Sequence, residues 1–145
     1  MKNEITIKHS ILIGKPREFV WDFTQDYAKR MNWDRAVLET QVLEHEPNRV
    51  VKLRTKGRTT MTFVYKLDDK PNKTSLVARE IESPIIESAG GSWTYEEQDD
   101  GTLWTQTNTI KFKNTMMLSF LLPLYRRIFV SQTKKAMKKA KRIME

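Results

Sequence analysis

The sequence contains no cysteine. That absence removes disulfide cross-links, thiolate metal sites and a cysteine nucleophile together, so the chain must be held by packing. Histidine is almost as scarce. His9 and His45 are far apart, and two imidazoles do not make a three- or four-ligand zinc site unless carboxylates complete it, so no metal and no cofactor is expected. No glycine-rich phosphate loop, nucleophile elbow or Ser-His-Asp spacing is present. The longest uncharged stretch, Thr115 to Tyr125, is about half of the ~20 residues that a membrane-spanning helix needs, and Pro123 interrupts it. The segment Met1 to His9 breaks its few apolar residues with charge and lacks the apolar core of a secretory signal, so a cytoplasmic location is expected.

What remains is an ordinary globular composition, with 39% hydrophobic and 30% charged residues in 145. A chain of this length can bury roughly 68–70% of its unfolded surface, enough for a real core. The net charge of +8 is unevenly placed. Residues 126–145 hold eight Lys or Arg against one Glu and account for +7 of it. The charge therefore belongs to one segment rather than to the whole body.

Residues Glu4 to Ile13 alternate, with Ile5, Ile7, His9, Ile11 and Ile13 on one face, the period of a half-buried strand. Pro16 suits a first helical turn, and Phe19, Val20 and Phe23 recur at helical spacing through Glu18 to Gln25. Asp26 is placed to cap a second short helix that ends before Asn32. Six strands follow, separated by turn signals: Val37 to Glu46, Arg49 to Lys56, Thr59 to Asp68, Lys73 to Glu82, Ile85 to Gln98 and Thr102 to Lys113. Gly90 and Gly91 predict a bulge or sharp bend inside the fifth of these. From Pro123 to Glu145, Tyr125, Phe129, Gln132, Ala136, Ala140 and Ile143 form one helical stripe flanked by Ile128, Met137 and Met144, with Lys134, Lys138 and Lys141 opposite. The apolar run Met116 to Leu122 precedes that helix.

The order strand, two short helices, six strands, long helix resembles the START-like superfamily, also called SRPBCC or helix-grip. The residues that carry the likeness are Pro16-x-x-x-Val20-Trp21-Asp22-Phe23, Asn32-Trp33-Asp34, Gly101-Thr102 at the last strand, and Leu124-Tyr125-Arg126-Arg127 in the final helix. They look like the branch described as polyketide cyclase/dehydrase and lipid transport, and the likeness spans residues 1–145 as one domain. It implies an α+β helix-grip fold: a seven-stranded curved antiparallel sheet wrapped around a long C-terminal helix, with two short helices between strands one and two. It also implies a cavity between sheet and helix. Carried over by position, the lining would be Met61, Phe63, Tyr65, Trp93, Tyr95, Trp104, Leu121, Tyr125 and Phe129. Aromatic and methionine side chains suit an irregular apolar ligand, and they equally suit a filled core.

Among polar positions His9 stands out, since alternation points it inward, where an imidazole can orient a ligand or move a proton. A hydrogen-bonded structural histidine is the competing reading, and His45 reads as surface. Glu80, Glu82 and Glu87 lie in neighbouring strands and would make a base if they met out of water; Arg54 or Arg79 could simply pair with them. Trp33 and Asp34 are either a lid over the cavity or a hydrophobic plug with Asp34 capping a turn.

Three functions follow from these features. The first is a non-enzymatic binder of a hydrophobic small molecule or lipid, with His9 or Tyr65 setting its orientation. The second is an enzyme of the cyclase or dehydratase type in the same cavity. The third is an interaction protein docking through Lys134, Lys135, Lys138, Lys139, Lys141 and Arg142 on an anionic membrane surface, with RNA less favoured and a homodimer open.

Overall fold

The structure, a computed structural model, describes residues 3–145. Strand β1 (Glu4–Ile13) leads into helix α1 (Arg17–Thr24), a single 3-10 turn (Tyr27–Lys29) and the one-turn helix α2 (Arg30–Trp33). Strands β2 (Val37–Glu44), β3 (Val50–Thr55), β4 (Thr59–Asp69), β5 (Lys73–Glu82), β6 (Ile86–Gln98) and β7 (Gly101–Phe112) follow, and helix α3 (Met116–Met144) ends the chain. The strands form one open antiparallel sheet in the order β1-β7-β6-β5-β4-β3-β2. This is the expected α+β helix-grip architecture, with β1 returning to pair with the last strand.

Alternation dictates which residues enter the core. Along β1, Ile5, Ile7 and Ile13 are buried and His9 and Ile11 half-buried, opposite Ile110, Asn108, Thr102, Gln106 and Trp104 of β7. On β4, Met61 and Tyr65 are buried, but Leu67 is 42% exposed because the register with β5 shifts between Tyr65 and Leu67. The glycine pair also behaves differently from the expectation. Gly90 and Gly91 stay in register with β7, and the only shift in that ladder lies between Ile86 and Ser88. What they permit is close approach: a Cβ on Gly91 would stand 2.4 Å from Asn108 Oδ1 and 2.8 Å from Thr107 O. The β5–β6 ladder ends at Val77 and Gly90, so the two strands part beyond that point.

Helix α3 begins seven residues earlier than Pro123, at Met116. Thr115 caps it, its hydroxyl accepting from Leu118 N at 3.1 Å, and Leu118 and Leu122 pack with Ile5, Ile86 and Phe112. This burial and cap outweigh the missing donor of a proline inside a helix. The predicted stripe is rotated at its far end: Met144 is buried and Ile143 is 47% exposed. Both ends of α3 are tied to the sheet. Ser119 Oγ donates to Asn3 Oδ1 at 2.9 Å, and Asn3 Nδ2 donates to Lys113 O. At the other end Lys141 Nζ donates to Leu12 O at 2.6 Å, and Glu145 Oε2 accepts from Gly14 N at 2.7 Å. Lys141 is thus a structural contact rather than part of a free basic face. Likewise α2 extends through Asn32 and Trp33, past the expected stop.

Candidate ligand-binding cavity

The inner face of the sheet is packed unevenly. Where β6, β7, α1 and the far half of α3 meet, Trp21, Trp33, Trp93, Tyr95, Trp104, Met137 and Met144 fill the space. Trp33, Trp93 and Trp104 form a triangle of tilted and edge-on rings with centroids 5.4–6.1 Å apart, and Tyr95 lies 5.0 Å from Trp21. Toward β3, β4, β5 and the first half of α3, the same layer is not filled. A cavity of about 330 Å³ remains there, walled by Ile7, Leu53, Met61, Phe63, Leu76, Ile86, Ala89, Tyr125 and Phe129, and it lies behind the place where β5 and β6 part.

Six residues expected to line a cavity do so: Met61, Phe63, Tyr65, Trp93, Tyr125 and Phe129. Four sit elsewhere. Tyr95 and Trp104 belong to the filled aromatic end, with Trp104 fully buried and its Nε1 without a hydrogen-bond partner among the described residues. Leu121 is half-buried on α3 away from the cavity wall. His9 faces inward as alternation requires, yet it lies under α3 beside Lys134, one strand away from the wall that Gln106 forms. Its pKa is lowered from 6.5, first by burial and then by the Lys134 charge. The three glutamates do not meet: Glu80, Glu82 and Glu87 are all exposed, and Glu87 pairs with Lys111 at 3.5 Å. Arg54 pairs with Glu39 instead of with them. Trp33 is 1% exposed and acts as the plug, while Asp34 Oδ1 accepts from Ala36 N at 3.1 Å in a turn.

The short-helix region contributes Tyr27, Arg30 and Asp34 to the polar part of the wall, and β4 contributes Tyr65. The hydroxyls of Tyr27 and Tyr65 share a hydrogen bond of 2.5 Å, and Tyr65 also donates to Gln25 Oε1 at 3.3 Å. Burial, then the neighbouring Tyr27, pushes the Tyr65 phenol well above its usual range, so it is a neutral donor at every physiological pH. Behind these rings Arg49 is fully engaged. Its Nε and Nη2 donate to Asp68 at 3.0 Å, Nη1 donates to Gln25 O and Nη2 to Gln25 Oε1, and its guanidinium lies 3.9 Å from the Tyr65 ring centroid. Arg30 lines the cavity itself, with Nε donating to Asp34 Oδ2 at 3.0 Å. Sequence reading passed over Arg30 because a charged residue in a short helix defaults to solvent, and it passed over Tyr27 as well. The available signal was the i, i+4 spacing of Arg30 and Asp34 around Trp33.

Sheet order, cavity and helix place the protein in the helix-grip class. The family model for polyketide cyclase / dehydrase and lipid transport matches residues 4–145, and the chain belongs to that family. Comparison with curated protein sequences finds no match. Among solved structures, the chain is similar to TTHA0849 of Thermus thermophilus, with a TM-score of 0.83 at 14% identity over 97% of each chain. It is also similar to the Zhui aromatase/cyclase of a Streptomyces species, with a TM-score of 0.82 at 15% identity over 97% of this chain and 93% of that one. Ara h 8.0201 gives 0.71 at 14% identity over 97% of each. At such identities the likeness is one of fold.

Proposed function

We propose that the protein binds a hydrophobic small molecule or lipid in the cavity between sheet and α3, without transforming it. The observation that carries this reading is the unfilled, mainly apolar space of about 330 Å³ beside an aromatic end that is tightly filled. Small-molecule pockets start at about 300 Å³, and each methylene buried there contributes about 0.8 kcal/mol. A cyclase-type enzyme in the same cavity is the second reading, favoured by the family to which the chain belongs and by its likeness to an aromatase/cyclase. Proton abstraction in such chemistry calls for a base poised near neutrality. Among the described residues of the wall the one carboxylate, Asp34, is committed to Arg30 and Ala36 N, and Tyr65 stays protonated.

Native mass spectrometry of the purified protein, followed by solvent extraction, tests the first reading. A stoichiometric apolar compound recovered unchanged after incubation supports a binder. Its conversion supports the enzyme. Protein that carries nothing, and shows no thermal shift with fatty acids, sterols, quinones or aromatic polyketides, overturns both.

A further inference from the structure

We infer that Arg30 anchors an anionic oxygen, so that the cavity's ligand is an apolar molecule ending in an acid, with a carboxylate the best geometric match. This rests on the reading of the cavity as a ligand site. Arg30 is only 9% exposed, and its guanidinium packs into an aromatic corner, 4.8 Å from the Trp33 ring, 4.9 Å from that of Trp93 and 5.7 Å from that of Tyr27. Nε is taken by Asp34. Nη1 and Nη2, with four N–H groups, have no hydrogen-bond partner among the described residues, yet they are not sealed from open space. Arg49 nearby has all three nitrogens bonded within the protein and lies outside the cavity wall, whereas Arg30 borders the cavity with two nitrogens free. Among the described residues Arg30 is the one arginine that lines the cavity, and the difference falls there.

Aromatic contacts and the Nε bond to Asp34 hold the guanidinium, and its two free terminal nitrogens are the parallel donors that can receive a carboxylate in bidentate fashion. The charged residues of the wall are Arg30, Lys56 and Asp34, which leaves it net positive. Asp34 holds the arginine in place and charged against the pull of burial.

The test compares 2-naphthoate with 2-naphthamide, nearly identical in shape and different in charge, by calorimetry and by quenching of indole emission. The acid should bind wild-type protein about tenfold more tightly than the amide, since charge-assisted hydrogen bonds are roughly twice as strong as neutral ones. Arg30→Gln should bring the acid down to the amide's affinity and leave the amide within about twofold, and Arg30→Lys, charged but without the fork, should fall between. Equal affinity of the wild type for acid and amide would overturn the anchor and leave the cavity reading standing. If acid, amide and naphthalene all fail to enter, the cavity reading falls and the anchor with it. The wild-type comparison needs no variant, so a poorly folding Arg30→Gln does not blunt it.

A separate observation concerns the outside of α3. Met116, Met117, Phe120 and Leu124 are 90%, 71%, 83% and 51% exposed, and they follow one helical face. Continued at spacings of three and four, that face becomes basic through exposed Arg127, Lys134, Lys135 and Lys138. We propose that this face docks on an anionic bilayer, the apolar turns entering the interface and the basic turns lying on the headgroups. Charge complementarity selects the partner, because a second copy of the same face would set like charges together. The protein should float with phosphatidylcholine vesicles containing about one-third phosphatidylserine and not with pure phosphatidylcholine, and added salt should release it. Phe120→Glu with Leu124→Glu should abolish flotation, and Lys135→Gln should weaken it about fivefold, the worth of one charge near such a surface. Absence of flotation, salt-insensitive flotation, or a concentration-dependent dimer that Phe120→Glu dissolves would each overturn the proposal. So would RNA binding that the same lysines support without any vesicle binding.

Discussion

At neutral pH the imidazole of His9 is uncharged, because burial under α3 and the ammonium of Lys134 both work against its second proton. The consequence for stability has a definite sign. With its pKa in the folded protein below the unfolded value near 6.5, the unfolded chain binds the extra proton first, so stability is intact above that pH and declines as pH falls toward the lower, folded pKa. An NMR titration should place the His9 midpoint below 6.5, and Lys134→Met should move it back upward; a midpoint above 6.5 contradicts the placement. A second residue-scale prediction concerns Gly101. Its φ is +141°, and a Cβ there would stand 2.1 Å from Ile13 O. Gly101→Ala should therefore destabilise the protein by about 1–3 kcal/mol, read from the urea midpoint. No change would mean that the β1–β7 junction is looser than it looks.

At the scale of elements, α3 carries a proline eight residues into its length. The ring removes a donor and crowds the carbonyl four residues back, whereas the first turns of α3 are secured by the Thr115 cap and by Asn3 holding Ser119. Pro123→Ala should raise stability by about 2 kcal/mol, the gain of roughly 3 in helix propensity being offset by up to about 1 from the freer unfolded chain. Thermal unfolding would show it as a higher midpoint, and a lower one would mean that the proline shapes α3 in a way the sheet requires. The same helix shows where sequence reading ends. Period-two alternation from Ile5 to Ile13 and through Met61, Phe63 and Tyr65 fixes strands and their inner faces, because the pleat leaves no other arrangement. Pro123 reads as a helix start because an isolated sequence shows propensity and not the burial of Leu118 and Leu122 that overrides it. Gly90 and Gly91 announce an exceptional backbone without saying whether it bends or is merely approached. Six cavity residues were legible as large apolar side chains on inward faces. That Trp104 and Tyr95 fill space while Phe63 and Met61 border it depends on how far the helix stands off the sheet, which no local pattern encodes. Arg30 was hidden for a different reason: its burial is created by Trp93, distant in sequence.

The whole molecule divides its interior between a filled aromatic end and an open end that borders the cavity. Trp104→Ala, at a fully buried corner of the aromatic triangle, should cost about 3–5 kcal/mol, a large part of the 5–15 kcal/mol typical of a folded domain. Phe63→Ala, on a wall that already lacks partners on one side, should cost about half as much or less. The decisive variant fills rather than empties. Ala89 is half-buried, borders the cavity and pairs with Ile110 across β6 and β7. A phenylalanine there meets empty apolar space if the cavity exists in solution, and the added burial at about 25 cal/mol per Å² then holds or raises the urea midpoint while ligand uptake is lost. In a closed core the same ring would force neighbours off their rotamers and cost about 1–3 kcal/mol. Stability and binding must therefore move apart in Ala89→Phe, because only a molecule that leaves apolar space unfilled can lose its ligand without losing its fold.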